Sequence, residues 1–312
     1  MNEEIKVSVV MPTYNGSKFI KRTIESILAQ THTNFEFIIV DDGSTDNTAE
    51  IILSFNDDRI KYIHQENKGP ASAYNVGFKS ASTDFIFIMD HDDYSYPIRL
   101  EKQLEYMKAN DLDVCGTNYE ILHERNGYIE KVNRSFKNWE IKEKLLFLPW
   151  IILNPTVCIK GKIFNQFGYF NDEYDVTFDY EYYVRIMDNI TFGIVPACLY
   201  RWHQHKNSYS SKTAVEGRQV FRQIALNKIE GKKSMMPRYK YFQTVGLLNY
   251  YSDNMSKAIV FLVFSLARHF NKRTLRYFFS ITLFGFIIKI VRKYSLFGLP
   301  IVRHAKKFFV VQ

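Results

Sequence analysis

Short, nearly unbroken apolar runs alternate with amphipathic stretches over residues 1–120. IKVSVVM (5–11), FEFIIV (35–40) and FIFIM (85–89) are apolar enough for strands covered on both faces, and Ile60–His64 reads as a further strand. The first run is expected to stop at Pro12 and the turn pair Asn15-Gly16. Phe19, Ile20, Ile24, Ile27 and Leu28 recur at helical spacing, which predicts a helix over Phe19–Gln30. Ser44 and Asp46 are candidate caps for a helix running to Phe55. Further helices are predicted from about Pro70 to Lys79 and from Pro97 through Asn110. Repeated strand–helix units of this kind predict an α/β domain, a mostly parallel sheet flanked by helices. In such sheets the ligand crevice lies beyond the carboxyl ends of the strands. PTYNG follows the first strand, DDGS the second and DHDD the fourth, so a site is expected on that edge.

Size and charge refine the picture. A chain of 312 residues, 46% hydrophobic, can build one large domain or a domain with an extension. Its net charge of +8 is unevenly divided. Residues 211–312 carry 19 Lys or Arg against three acids, Glu216, Glu230 and Asp253, whereas the preceding part has 22 basic and 30 acidic residues. We therefore divide the chain into a domain over 1–210 and a basic extension over 211–312, the first suited to a metal and the second to an anionic surface. Cys115, Cys158 and Cys198 are odd in number and widely spaced, which fits neither a disulfide framework nor a zinc cluster and points to a reducing compartment. The N-terminus, MNEEIKVSVVMP, has acids where an export signal would be basic, so a cytoplasmic location is expected.

Asp90, Asp92 and Asp93 place three carboxylates within four residues directly after an apolar strand, where they repel one another unless a cation sits among them. Oxygen-only ligands suit Mg²⁺ or Mn²⁺; the alternative is a solvated, Asp-rich loop. Asp41 and Asp42 in DDGS are placed to accept hydrogen bonds from a base or ribose, or to form an ordinary capping turn. In NKGPASAYNVG, Gly69 would let the backbone approach a phosphate with Lys68 nearby, but no Gly-Lys-Ser/Thr of a Walker loop is present; a plain loop and helix start is the other reading.

Taken together, VSVVMPTYNG, FIIVDDGSTDNT, NKGPASAYNVG and FIMDHDDYSYPIRL resemble, in order and spacing, the motifs of the family-2 glycosyltransferases, and the resemblance extends over about residues 5–210. It implies a GT-A, Rossmann-like fold and an inverting transfer of a sugar from a nucleotide-diphosphate donor to an acceptor hydroxyl. It places Pro12, Tyr14, Asp41 and Asp42 at the nucleotide, with Lys68 and Asn75 of the third motif and Asp90 and Asp92 also on the donor. The same likeness makes Asp92 or Asp93 the direct ligand of Mn²⁺ or Mg²⁺, with His203 nearby and His205 as a weaker candidate. DVTFDYEYYVR (175–185), aligned on Arg185, puts the catalytic base at Asp179, with Glu181 as the fallback. The chain departs from the pattern at three positions: Tyr74 stands where Arg is usual, Phe178 where Glu is, and Tyr182 where Leu is.

The C-terminal stretch YFFSITLFGFIIKIV (277–291) is short for a membrane span and holds Lys289. Lys272, Arg273 and Arg276 precede it, and Arg292, Lys293, Arg303, Lys306 and Lys307 follow. This pattern suits a helical extension lying on an anionic membrane surface, peripheral to its inner face. The alternative is packing on the catalytic domain or on a second copy in a homo-oligomer. No nucleic-acid motif accompanies the charge, so no nucleic-acid partner is expected. The expected activity is synthesis of a bacterial surface polysaccharide or glycolipid on a saccharide or lipid-linked saccharide acceptor. The rival from another class is a protein that binds nucleotide sugars without turnover.

Overall fold

The computed structural model describes residues 5–251 and, beyond them, residues 257, 258, 261, 262 and 265. The stretch 270–312, on which the membrane-surface expectation rests, lies outside the described residues. Two compact units are present, the first from described residues 5–145 and 149–221, the second from 146–148 and those from 222 onward.

In chain order the elements are β1 (Val7–Thr13), α1 (Ile20–Leu28), β2 (Phe35–Asp41), α2 (Thr48–Leu53), β3 (Ile60–His64), α3 (Pro70–Ser80), β4 (Phe85–Ile88) and β5 (Tyr94–Ser95). They continue as α4 (Arg99–Ala109), β6 (Val114–His123), β7 (Tyr128–Val132), α5 (Asn138–Leu145), β8 (Cys158–Lys160), α6 (Lys162–Phe167), α7 (Phe178–Ile186) and β9 (Phe192–Gln204). Helices α8 (Tyr209–Lys212), α9 (Ala214–Gly231) and α10 (Arg238–Tyr251) follow. Among the described residues the strands form one sheet in the order β3-β2-β1-β4-β8-β6-β9-β5, with β7 on β6. The β3-β2-β1-β4 half is parallel. Beyond it β8 runs antiparallel to both β4 and β6, while β6 and β9 are again parallel.

Every residue of β1 is buried because β1 lies between two strands and under helices, which is why its sequence is an apolar run rather than an alternation. Its polar Ser8 is satisfied by Glu36 at 2.6 Å and Thr83 at 2.8 Å. The helical spacing seen in the sequence brings Ile20, Ile24 and Ile27 of α1 onto the same core as Val9, Met11, Phe37 and Phe87. Helix α3 comes so close to β1 that a Cβ on Gly77 would lie 2.3 Å from Val10 Cγ1, so only glycine fits there.

Pro12 does not end β1 as expected: the strand runs to Thr13, with Pro12 opposite Val40. Backbone groups alternate sides along a strand, and the amide of Met89 bonds Val10 on the β4 side. The N–H that Pro12 lacks therefore faces β4 beyond the last β1–β4 pair, Val10 with Ile88, where no ladder bond is lost.

Cys115 and Cys158 are opposite one another on β6 and β8, free and fully buried; Cys198 is free and half-buried. In the second unit Arg222 bonds Asn249 at 3.1 Å and Lys233 pairs with Glu230 at 3.2 Å. No described helix is long and apolar enough to cross a membrane.

Candidate active site

Chain segments leaving β1, β2 and β4 meet at one edge of the sheet. After β2, the two aspartates are buried and occupied. Asp41 accepts from the Ser44 amide at 2.9 Å and the Tyr62 hydroxyl at 2.9 Å. Asp42 accepts from Gln65 at 2.7 Å and from the amides of Lys68 and Gly69, both at 2.9 Å. Gly69 aims its amide this way with φ +86°, a conformation open to glycine, and Pro70 then starts α3. The pair thus braces the third motif. Tyr14, just beyond β1, is 46% exposed, and the Lys68 side chain is exposed. Asn75 has both ends of its carboxamide on the backbone of Phe170, at 2.8 and 3.0 Å.

After β4, residues 90–93 turn into β5. Helix α1 pins this turn: the Thr23 hydroxyl lies 2.8 Å from the carbonyls of both His91 and Asp93 and shares its one proton between them, and Arg22 donates to the Asp92 carbonyl at 2.7 Å. Carboxylate oxygens of Asp90, Asp92 and Asp93 lie within 4.8 Å of one another. Asp90 accepts from the Tyr74 hydroxyl. Asp93, fully buried, accepts from Tyr200 Oη and the His203 amide, both at 2.7 Å. Asp92 faces His205 Nε2 at 2.8 Å. His203 therefore meets the cluster through its backbone, and its ring lies edge-on to Phe19 at 5.0 Å. It is His205 whose side chain reaches an aspartate.

Crowding has an electrostatic consequence. Burial and then the charge of Asp92 push Asp90 up to about 7, and burial with the same neighbouring charges raises Asp93 well above the carboxylate range. Asp92 stays below its ordinary value despite burial, through its bond with His205 and the charges of His91 and His205. Beneath the cluster lies Arg99, fully buried, donating to the Ile88 carbonyl at 2.9 Å and standing 4.9 Å over the Tyr200 ring. Burial lowers its pKa to about 10, so it remains a cation at neutral pH. One buried permanent positive charge against three crowded acids leaves an oxygen-only donor set that fits a hard divalent cation.

Asp179 stands in the first turn of α7, and burial pushes its carboxyl up. It is close enough for its charge to raise the pKa of both Asp90 and Tyr74, which ties α7 to the acid cluster. Two residues earlier Thr177 enters the helix at φ +61°, an unusual conformation for a β-branched residue. Glu181, the fallback, is held by Arg185 at 2.9 Å.

Sequence reasoning missed Thr23, Tyr200 and Arg99. Arg99 had a signal, a charged residue on the apolar face shared by Leu100, Leu104 and Met107. Tyr200 stands three residues before His203 in the same strand, β9, and Thr23 had no signal.

A curled, largely parallel sheet with its acid clusters at the strand ends is the arrangement of the GT-A class. The chain belongs to glycosyl transferase family 2, whose family model matches residues 8–170. An uncharacterized glycosyltransferase of Rickettsia felis is 42% identical over 134 residues, 43% of this chain and 22% of that protein. The Escherichia coli protein WfgD, named a UDP-Glc:alpha-D-GlcNAc-diphosphoundecaprenol beta-1,3-glucosyltransferase, is 36% identical over 162 residues, 49% of this chain and 64% of that one. The chain thus spans less than two thirds of either relative. Among solved structures, Staphylococcus aureus TarS with UDP-GlcNAc superposes with a TM-score of 0.63 at 20% identity, covering 86% of this chain and 83% of that one. The mannosyltransferase PcManGT of Pyrobaculum calidifontis, with GDP-Man and Mn²⁺, gives 0.56 at 15% identity, covering 95% and 89%. At these identities the likeness is one of fold.

Proposed function

We propose that the chain is a divalent-metal-dependent, inverting glycosyltransferase that passes a sugar from a nucleotide-diphosphate donor to an acceptor hydroxyl, in the making of a bacterial surface polysaccharide or glycolipid. The observation that carries this reading is the convergence of Asp90, Asp92 and Asp93 within 4.8 Å, with Asp179 in electrostatic reach from α7. Asp92 and Asp93, with Asp90 beside them, would hold Mn²⁺ or Mg²⁺, which when bound neutralises charge on the departing diphosphate. Pro12, Tyr14 and the Asp41–Asp42 turn form the wall for base and ribose, and Lys68 of the third motif offers a cation to the diphosphate. Asp179 takes the acceptor's proton; its raised pKa makes it a stronger base than a solvated carboxylate. The lipid-linked acceptor named for WfgD and the basic residues of 270–312 support an acceptor at the inner face of the membrane, with the chain peripheral there.

The test is turnover of nucleotide sugars by the full chain with Mn²⁺ and with chelator. Asp179→Asn is expected to lower transfer about 10²–10⁴-fold while donor binding is kept. Donor binding with no turnover by the wild-type chain would instead establish the non-catalytic reading.

A further inference from the structure

The three departures from the family pattern meet in space. Tyr74 of α3 stacks on Phe78 at 5.6 Å, meets Phe170 edge-on at 5.7 Å and lies 6.1 Å from Phe178. Phe170 in turn packs on Phe178 at 5.3 Å and Tyr182 at 5.2 Å, and the two Asn75 bonds fix its backbone. One aromatic cluster therefore holds α3 against the first turn of α7. Its one polar projection toward the acid turn is the Tyr74 hydroxyl, which donates to Asp90 and approaches the Met89 carbonyl at 3.4 Å.

We propose that Tyr74 is the positioning residue for Asp90, and that Phe170, Phe178 and Tyr182 form the strut that holds Tyr74 in place. This rests on the reading of Asp90, Asp92 and Asp93 as the cation site. Fixing one carboxylate oxygen sets the plane of the group and hence the direction of the other, which is how an outer partner tunes a ligand set. Tyr74 is 2% exposed, so its ring cannot swing away without opening the cluster. A phenol also suits the site better than a cation would at this depth. It orients Asp90 by a hydrogen bond yet leaves the carboxylate's charge for the metal, whereas a guanidinium would compete for it. Phe178 precedes Asp179 directly, so the strut that fixes Asp90 also fixes the turn carrying the base.

The experiment is a manganese titration of the full chain, followed by calorimetry or by the signal of free Mn²⁺, for wild type, Tyr74→Phe, Asp90→Asn and the double variant. Tyr74→Phe removes only the hydroxyl; it should keep the fold by circular dichroism and weaken Mn²⁺ binding about 10–100-fold. In the Asp90→Asn background the same change should have no further effect, because the oxygen it orients is no longer a carboxylate. Phe178→Leu, which loosens the strut and keeps the hydroxyl, should weaken binding in the same direction by less. The proposal is overturned if folded Tyr74→Phe binds Mn²⁺ within about twofold of wild type, or if its effect persists undiminished beside Asp90→Asn. Failure of the wild-type chain to take up Mn²⁺ would overturn the cation site itself, and this inference with it.

Discussion

Two groups of aspartates close the same edge of one sheet, and the protein treats them in opposite ways. Around Asp41 and Asp42 it supplies donors: the amides of Ser44, Lys68 and Gly69, the Tyr62 hydroxyl and the Gln65 carboxamide. Around Asp90, Asp92 and Asp93 it supplies fewer donors than the charges require, and two of the three carboxyls rise in pKa. The first group is a finished piece of architecture that shapes a loop. The second stores repulsion that a cation would relieve. The same residue at equivalent strand ends is thus left satisfied or crowded according to whether the fold completes its hydrogen bonding.

The contrast can be broken most severely from below. Arg99→Met takes the one buried cation from under the acid turn and leaves the Ile88 carbonyl without its donor. We expect a loss of about 3 kcal/mol in urea denaturation, the scale for leaving buried charge uncompensated; a change near zero would mean that Arg99 does not hold the cluster together. Asp42→Asn tests the other group. It removes charge-assisted bonds to the Lys68 and Gly69 amides and should lower stability by about 2 kcal/mol. Mn²⁺ uptake should be unchanged, and loss of uptake would erase the distinction drawn here.

The smallest effect sharpens the comparison with an acid outside both groups. Burial tends to raise Asp113, but the amide and hydroxyl of Thr191 and the charges of Lys162 and Lys160 bring it below its ordinary value. A carboxyl depressed in the folded state stabilises above its unfolded pKa, and this is lost as pH falls through the folded value. Asp113→Asn should therefore cost under about 1 kcal/mol near neutral pH, screened as it is by solvent. The difference from wild type should vanish in acid; a gap that widens there would contradict the sign.

Much of this arrangement was legible in the chain. Strands β1, β2 and β4 announced themselves because burial on both faces demands apolar runs, and the polar turns that end them locate the edge without any tertiary information. The acid turn followed from motif order, and Asp179, placed by alignment on Arg185, lies in electrostatic reach of it. What was not legible depends on contacts between distant residues. That Asp42 serves Lys68 and Gly69, that Tyr200 serves Asp93 from 107 positions away, and that Tyr74, Phe178 and Tyr182 share one cluster are facts of packing. In sequence those three aromatics look like unrelated losses; in the fold they pack into one cluster through Phe170.

The pair of thiols at the centre of the sheet has a use of its own. Burial raises Cys115 to about 12 and raises Cys158 as well, and thiolate is the form that alkylating reagents attack. Neither sulfur will react until β6 and β8 part, whereas half-buried Cys198 samples solvent from the intact sheet. The molecule carries its own clock: the slow labelling of two cysteines, timed against the third, reads how often its centre opens.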